Sequence, residues 1–318
     1  SLIGYKYLTI QEVIMIGAGP SALTAAVYTT REDIDTVLLE KAVIGGLAAT
    51  TDWVDNYPGF PEGISGIDLA ENLRKQAERF GAKIELDEVS NIRKDGDVIV
   101  LDTLSGERRA KAVLIATGTE YKKLGIPGEA EYLSRGVHYC ATCDGAFYRD
   151  KNIVVVGGGN SAVQEALFLT KFASHIDLLV RGDTFRASDV LLHDLEKNQK
   201  ITVHMNTTTD EIIGDGTKVN QVNGTDKITN KAVTFDVDGV FVFVGLKPNT
   251  HFLGNTIKLD DIGFVITNER LETNIPGVFA AGDVRSGATM QIASAVGEGA
   301  TAALRIREYL ETINKHSD

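Results

Sequence analysis

The chain repeats itself at an offset of 140 positions: Gly17-Ala18-Gly19-Pro20-Ser21-Ala22 falls on Gly157-Gly158-Gly159-Asn160-Ser161-Ala162. An apolar, strand-like run precedes each copy, Val13–Ile16 and Ile153–Val156. A helix-like segment follows each, Ala22–Thr30 and Ala162–Phe172, and then a second strand, Thr36–Leu39 and Ile176–Leu179. The whole unit aligns without a gap. One GxGxxA turn constrains little, but two in one register and one context predict two dinucleotide-binding βαβ units. The first glycine makes the tight turn, and the second lets a pyrophosphate approach the backbone. A small third residue lets helix and strand pack closely. The phosphates then lie at a helix N-terminus. The candidate contacts are Gly17, Gly19 and Ser21 in the first copy, and Gly157, Gly159 and Ser161 in the second.

The ends of the second strands differ. The first copy ends in Glu40, 23 residues after Gly17, where a carboxylate can accept hydrogen bonds from an adenosine ribose. The equivalent position of the second copy is Val180, followed by Arg181. Losing the acid and gaining a cation is the pattern for a ribose that carries a 2′-phosphate; a solvated arginine at a strand end is the plainer reading. Further on, Gly277–Asp283 reads as a short buried strand running into a Gly-Asp turn, and Ala293–Tyr309 as a helix of small residues. This segment is too short to fold alone and must rejoin an earlier layer. The expected fold is therefore α/β, with two Rossmann-like dinucleotide-binding domains, the second inserted into the first. Residues 1–118 and 247–318 would form one domain and 119–246 the other, with crossings punctuated by Gly and Pro at Gly118–Gly128 and Gly245–Asn249.

The two cysteines of the chain stand together in Cys140-Ala141-Thr142-Cys143-Asp144, just upstream of the second glycine turn. Thiols separated by two residues can close a small disulfide, and a following carboxylate can handle the proton that the chemistry releases. A dithiol beside two dinucleotide folds reads as an electron conduit. A zinc site would need two further ligands, and His138 is near but alone, so no metal is expected. The net charge of −12 argues against a nucleic-acid partner. No apolar run approaches the ~20 residues needed to cross a bilayer, so no membrane partner is expected. Ser1–Ile10 lacks the layout of a signal peptide, which makes the cytoplasm the expected location.

Together these residues closely resemble the low-molecular-weight thioredoxin reductases, over nearly the whole chain. The matching motifs are Gly17-Ala18-Gly19-Pro20, Asn56-Tyr57-Pro58-Gly59, Ala116-Thr117-Gly118, Cys140 to Gly145, the second glycine turn and Gly282-Asp283. The resemblance implies FAD in the split domain, a reduced pyridine nucleotide on the inserted one, a homodimer, and a large domain rotation between two working states. It implies that Cys143 takes electrons from the flavin. Cys140 would then attack the disulfide of a thioredoxin- or glutaredoxin-like protein, and Asp144 would manage the protons. For FAD it implies Gly17, Gly19, Ser21 and Glu40 at the adenosine and phosphate end, and Val89 at the adenine through its backbone. Asn56, Asp283, Gln291 and Ile292 would approach the ribityl chain and ring. Leu47, Ala116 and Gly118 belong to motifs on the same site.

Departures from the family pattern stand out. Gly45-Gly46-Leu47 replaces Gly-Gly-Gln, and Met290 stands where an arginine usually precedes Gln291. The phosphate clamp, usually His-Arg-Arg-x-x-x-Arg, reads Val180-Arg181-Gly182-Asp183-Thr184-Phe185-Arg186 here, and Asn160 replaces an aspartate. Arg181 and Arg186 remain as two cations where the family has three. The clamp no longer specifies NADPH, and Val180 offers NADH no carboxylate. The donor stays open between NADPH, NADH and a ferredoxin-type protein. A dithiol oxidase of the same fold and a flavin redox sensor without turnover are the other readings.

Overall fold

The computed structural model describes residues 9–315 except 52 and 55. The chain divides into two compact units. One runs through Glu120 and resumes at Lys247; the other is Tyr121–Leu246.

In the first unit, strands Lys83–Leu86, Thr36–Glu40, Ile10–Ile16 and Gly106–Ile115 lie parallel in that order. The far edge of Gly106–Ile115 is shared between two partners. Its first half pairs antiparallel with Val98–Thr103, which pairs in turn with Val89–Asp95. Its second half pairs parallel with Val278–Ala280, Val278 opposite Val113 and Ala280 opposite Ile115. The end of the chain thus rejoins the sheet begun at its start. Successive side chains of a strand point to opposite faces. Accordingly Val13 and Met15 enter the core under the helices, while Ile14 and Ile16 enter the core on the other face.

Two helices build the helical face, Pro20–Thr30 and Ile292–Lys315. Their contact uses small residues because the backbones come close. A Cβ on Gly299 would stand 2.1 Å from the carbonyl oxygen of Ser21, and Ala22, Ala25, Ala26, Ala302 and Ala303 are buried around it. The second helix continues past Tyr309, where the sequence suggests its end, because Leu310 and Ile313 extend its apolar stripe into the same core.

The second unit has a five-stranded parallel sheet in the order Val137–His138, Gly239–Val242, Asn152–Val156, His175–Leu179, Ile201–His204. Ile153 and Val155 face one core, Val154 and Val156 the other. An antiparallel sheet of Thr207–Gly214, Val219–Asp226 and Lys231–Asp236 accompanies it. The helix after the second turn, Asn160–Leu169, stops short of Phe172. There the chain turns, with the N–H groups of Phe172 and Ala173 both donating to Leu169 O. The connecting strands Thr119–Tyr121 and Leu246–Pro248 pair with each other. Among the described residues no helix is long and apolar enough to cross a membrane.

Candidate redox and nucleotide sites

The first glycine turn follows Ile10–Ile16. Gly17 has φ +101°, and a Cβ there would stand 2.5 Å from Ala116 O, so only glycine serves. Gly19 is the opposite case: a Cβ would meet nothing within 4 Å. Gly19 caps the helix Pro20–Thr30 without any side-chain hydrogen bond, and the buried hydroxyl of Ser21 has no hydrogen-bond partner. Uncapped backbone N–H groups, a bare Cα face and an orphaned hydroxyl together fit a dinucleotide pyrophosphate.

Glu40 closes one side of this turn. Its carboxylate is buried and accepts the N–H of Ala18 and of Ala42, each at 2.8 Å. Each oxygen keeps a further lone pair that ribose hydroxyls can use. Gly17, Glu40 and Val89 line one cleft, together with Lys41, Asp87, Thr117 and Asn249. Asp87 and Asn249 carry no motif; only the fold brings them beside Glu40, whereas Lys41 follows it in the chain. Gly118 has φ +63° and an open Cβ direction.

Other expected residues of this unit gather nearby. A Cβ on Gly46 would lie 3.5 Å from Gly19 Cα, so the short helix Gly46–Ala49, which carries the exposed Leu47, flanks the turn. A Cβ on Gly282 would lie 3.1 Å from that of Ser21, so the Gly282-Asp283 turn abuts the helix start. Burial pushes the Asp283 carboxyl up to about 6, and the nearby Glu298 adds to this. Glu298 itself pairs with Arg285 at 2.7 Å and accepts the Gly282 N–H. Asn56 donates its amide to Gln291 at 3.0 Å, and Ile292 begins the long helix.

The second glycine turn repeats the steric pattern with different ends. Gly157 has φ +144° and its Cβ would stand 2.4 Å from Phe243 O, while Gly159 is open. Where Glu40 reaches back to Ala18, the buried Val180 packs over Gly158, its Cγ1 2.8 Å from the position of a Cβ there. That end therefore offers apolar carbon and no acceptor. Asn160 accepts the Ser188 N–H at 2.8 Å, and the Arg186 N–H donates to Gly158 O at 2.7 Å, which folds the Arg181–Arg186 segment along the turn. Arg181, Asp183 and Arg186 are exposed, as is Ser161, unlike its buried counterpart Ser21.

The dithiol lies in the same unit as this second turn. Cys140 and Cys143 form a disulfide with Cα atoms 5.3 Å apart, on the short helix Ala141–Asp144. Cys140 caps that helix, its sulfur accepting the Cys143 N–H at 3.2 Å. Both cysteines are partly exposed. Asp144 Oδ2 lies 3.1 Å from His138 Nδ1, and His138 Nε2 lies 2.6 Å from the Tyr148 hydroxyl. In the sequence His138 stands only as a lone potential metal ligand, and Tyr148 belongs to no motif. A histidine two residues before the first cysteine and a tyrosine four after the acid were the available signals. Among the described residues no cluster of three or more potential ligands could hold a metal ion.

Comparison with known proteins agrees with this arrangement. The profile of the family described as pyridine nucleotide-disulphide oxidoreductase matches residues 11–299. The thioredoxin reductase of Bacillus subtilis strain 168 is 41% identical over 306 residues, 96% of either chain. That of Treponema pallidum strain Nichols is 41% identical over 302 residues, 95% of this chain and 98% of the relative. The crystal structure of thioredoxin reductase from Streptococcus pyogenes MGAS5005 superposes with a TM-score of 0.91 at 39% identity, covering 95% of this chain and 99% of that one. With such identity along nearly its whole length, the chain belongs to the pyridine nucleotide-disulphide oxidoreductases, in their thioredoxin reductase branch.

Proposed function

We propose that this oxidoreductase passes electrons from a reduced donor, through FAD and the Cys140–Cys143 pair, to the disulfide of a thioredoxin- or glutaredoxin-like protein. The observation that carries the reading is a partly exposed disulfide followed directly by a carboxylate, in a unit whose glycine turn repeats the steric pattern of the first. The family implies FAD and a pyridine nucleotide. When bound, FAD supplies a carrier that accepts an electron pair from the donor and yields it to the disulfide.

In this reading, residues 1–118 and 247–318 hold FAD. Gly17, Gly19 and Ser21 take the pyrophosphate, Glu40 the ribose, and Val89 the adenine. Asn56, Asp283, Gln291 and Ile292 orient the ribityl chain and ring, while Leu47, Ala116 and Gly118 wall the site. Residues 119–246 carry the nucleotide turn and the dithiol. The Cys140 thiolate attacks the partner's disulfide and forms a mixed disulfide with release of one partner thiolate. Cys143 then attacks Cys140, which re-forms the internal disulfide and frees the second thiolate. Asp144 takes the proton from the attacking thiol and returns it to a leaving one. The working form is a homodimer.

For the donor, Gly157, Gly159 and Ser161 admit a pyrophosphate, with Arg181 and Arg186 as the cations for a 2′-phosphate. Val180 removes the ribose acceptor, and the surviving cations are exposed, which supports weak NADPH binding and NADH no better. A non-nicotinamide donor such as ferredoxin is the second reading that the same observation favours.

Stopped-flow reduction of the bound flavin by NADPH, NADH and reduced ferredoxin tests the donor. Turnover of a thioredoxin disulfide by wild type, and its loss in Cys140→Ser with FAD still bound, tests the acceptor half. Fast reduction at low NADPH concentration would show that two arginines suffice. No reduction by either nucleotide would assign another donor. Full turnover in both Cys140→Ser and Cys143→Ser would overturn the dithiol route.

A further inference from the structure

We propose that His138, held between Asp144 and Tyr148, is a positioning residue that presents the Asp144 carboxylate to the dithiol. The inference rests on the reading above that Asp144 is the acid/base. His138 ends the edge strand Val137–His138 and is buried. Its ring is clamped on three sides. It stacks on Phe241 with centroids 5.2 Å apart, meets Tyr148 edge-on at 5.3 Å, and reaches Asp144 with Nδ1. The ring therefore cannot turn without losing both polar contacts.

The direction of the chain follows from which groups can donate. A carboxylate only accepts, so His138 Nδ1 carries the proton toward Asp144 Oδ2. In that tautomer of the neutral ring, Nε2 accepts from the Tyr148 O–H. That hydroxyl stays protonated, because burial and the carboxylates of Asp144 and Asp238 push its ionisation up. The groups facing this chain are Asp144 on the short helix, Tyr148 on the turn Gly145–Tyr148, and the apolar Phe241 on Gly239–Val242, the strand paired with Val137–His138. Asp238 and Lys151, whose Nζ lies 5.5 Å from the Tyr148 ring centroid, face its outer end. The strand makes room for the tyrosine: a Cβ on Gly239 would stand 2.2 to 2.7 Å from the Tyr148 ring and hydroxyl. One carboxylate oxygen is thus committed to imidazole, which leaves Oδ1 for the proton that a cysteine gives or takes.

The test uses holoenzyme reduced with dithiothreitol and desalted, mixed with two small disulfides over a range of pH. Glutathione disulfide releases a basic alkyl thiolate that needs a proton; 5,5′-dithiobis(2-nitrobenzoate) releases an acidic aromatic one that does not. The variant His138→Leu/Tyr148→Phe removes the chain without leaving an unpaired hydroxyl. It should slow exchange with glutathione disulfide about tenfold, within the usual range for impaired acid/base assistance. It should also move that reaction's pH profile upward, since the carboxylate loses a donor. Exchange with the aromatic disulfide should change less than about twofold by the same reasoning. His138→Asn, whose amide can replace Nδ1–H, should restore most of the rate. In an Asp144→Asn background the double substitution should add nothing. Equal slowing of both disulfides, an unmoved pH profile, or an additive loss in that background would overturn the proposal. None of these readouts needs an electron donor or a protein partner, so failure of wild type to turn over thioredoxin would count against the proposed function alone.

Discussion

At the scale of single residues, Glu40 and Asp283 show one side-chain chemistry under two environments. Glu40 is buried but spends both oxygens on backbone N–H groups. Replacing it with alanine leaves the Ala18 and Ala42 donors unmatched, a loss of roughly 1.5–3 kcal/mol for each charge-assisted bond. Glu40→Ala should therefore lower the apoprotein's melting temperature and release FAD on gel filtration, with Glu40→Gln intermediate. Full flavin retention in the alanine variant would remove Glu40 from the ribose contact. Asp283 faces burial and Glu298, which raise it from 3.8 to about 6. The folded form holds that proton more tightly than the unfolded chain. Apoprotein stability therefore falls as pH rises from about 4 to about 6 and stays lowered above that, at a cost of about 3 kcal/mol. Asp283→Asn should raise the apoprotein melting temperature at pH 7 and reduce the difference between pH 5 and pH 7. An unchanged difference would show that the carboxyl titrates elsewhere.

At the scale of elements, the pairing of Pro20–Thr30 with Ile292–Lys315 sets the start of the first helix, where the proposed nucleotide cradle lies. The long helix presses Gly299 onto the Ser21 carbonyl, in the first turn of the helix whose N–H groups face the cradle. A methyl group at Gly299 would overlap backbone, not the yielding end of a side chain. Gly299→Ala should cost about 1–3 kcal/mol by overpacking. Because the displaced turn carries Ser21, flavin content should fall with it, whereas Gly297→Ala, where a Cβ meets nothing within 4 Å, should leave flavin content unchanged and raise stability by about 0.5–1 kcal/mol through helix propensity. Melting curves and flavin-to-protein absorbance ratios check both. The two glycine turns also show how one element diverges in place: Ser21 is buried beside Gly282, while Ser161 is exposed.

At the scale of the molecule, the insertion is closed by its own connectors. Thr119–Tyr121 and Leu246–Pro248 pair as a two-stranded sheet, so both ends of Tyr121–Leu246 meet at one place. That unit has its own parallel sheet and its own two apolar clusters. A fragment spanning 119–248 should therefore fold alone, melt cooperatively and form the Cys140–Cys143 disulfide, while binding no FAD. Circular dichroism and thiol titration check this. A fragment that stays unfolded would show that the insert depends on the rest of the chain.

The sequence by itself determined what local chemistry dictates. The two glycine turns, the strands before and after them and the CxxC followed by an acid are legible because each rests on residues adjacent in the chain. An unbroken apolar run such as Val13 to Ile16 declares a strand buried on both faces without reference to its partners. The contrast between Glu40 and Val180 was legible for the same reason, since both end a strand at a set distance from a glycine. Tertiary structure alone decided the rest, because those contacts join residues that no spacing rule connects. The edge of Gly106–Ile115 is divided between Val98–Thr103 and a strand more than a hundred residues later. Asp87 and Asn249 come to one cleft with Glu40. The imidazole of His138 meets Asp144 and Tyr148 only because an edge strand, a short helix and a turn pack over Phe241 and Gly239. Periodicity reports which face of an element is buried, but not which polar group it will meet there.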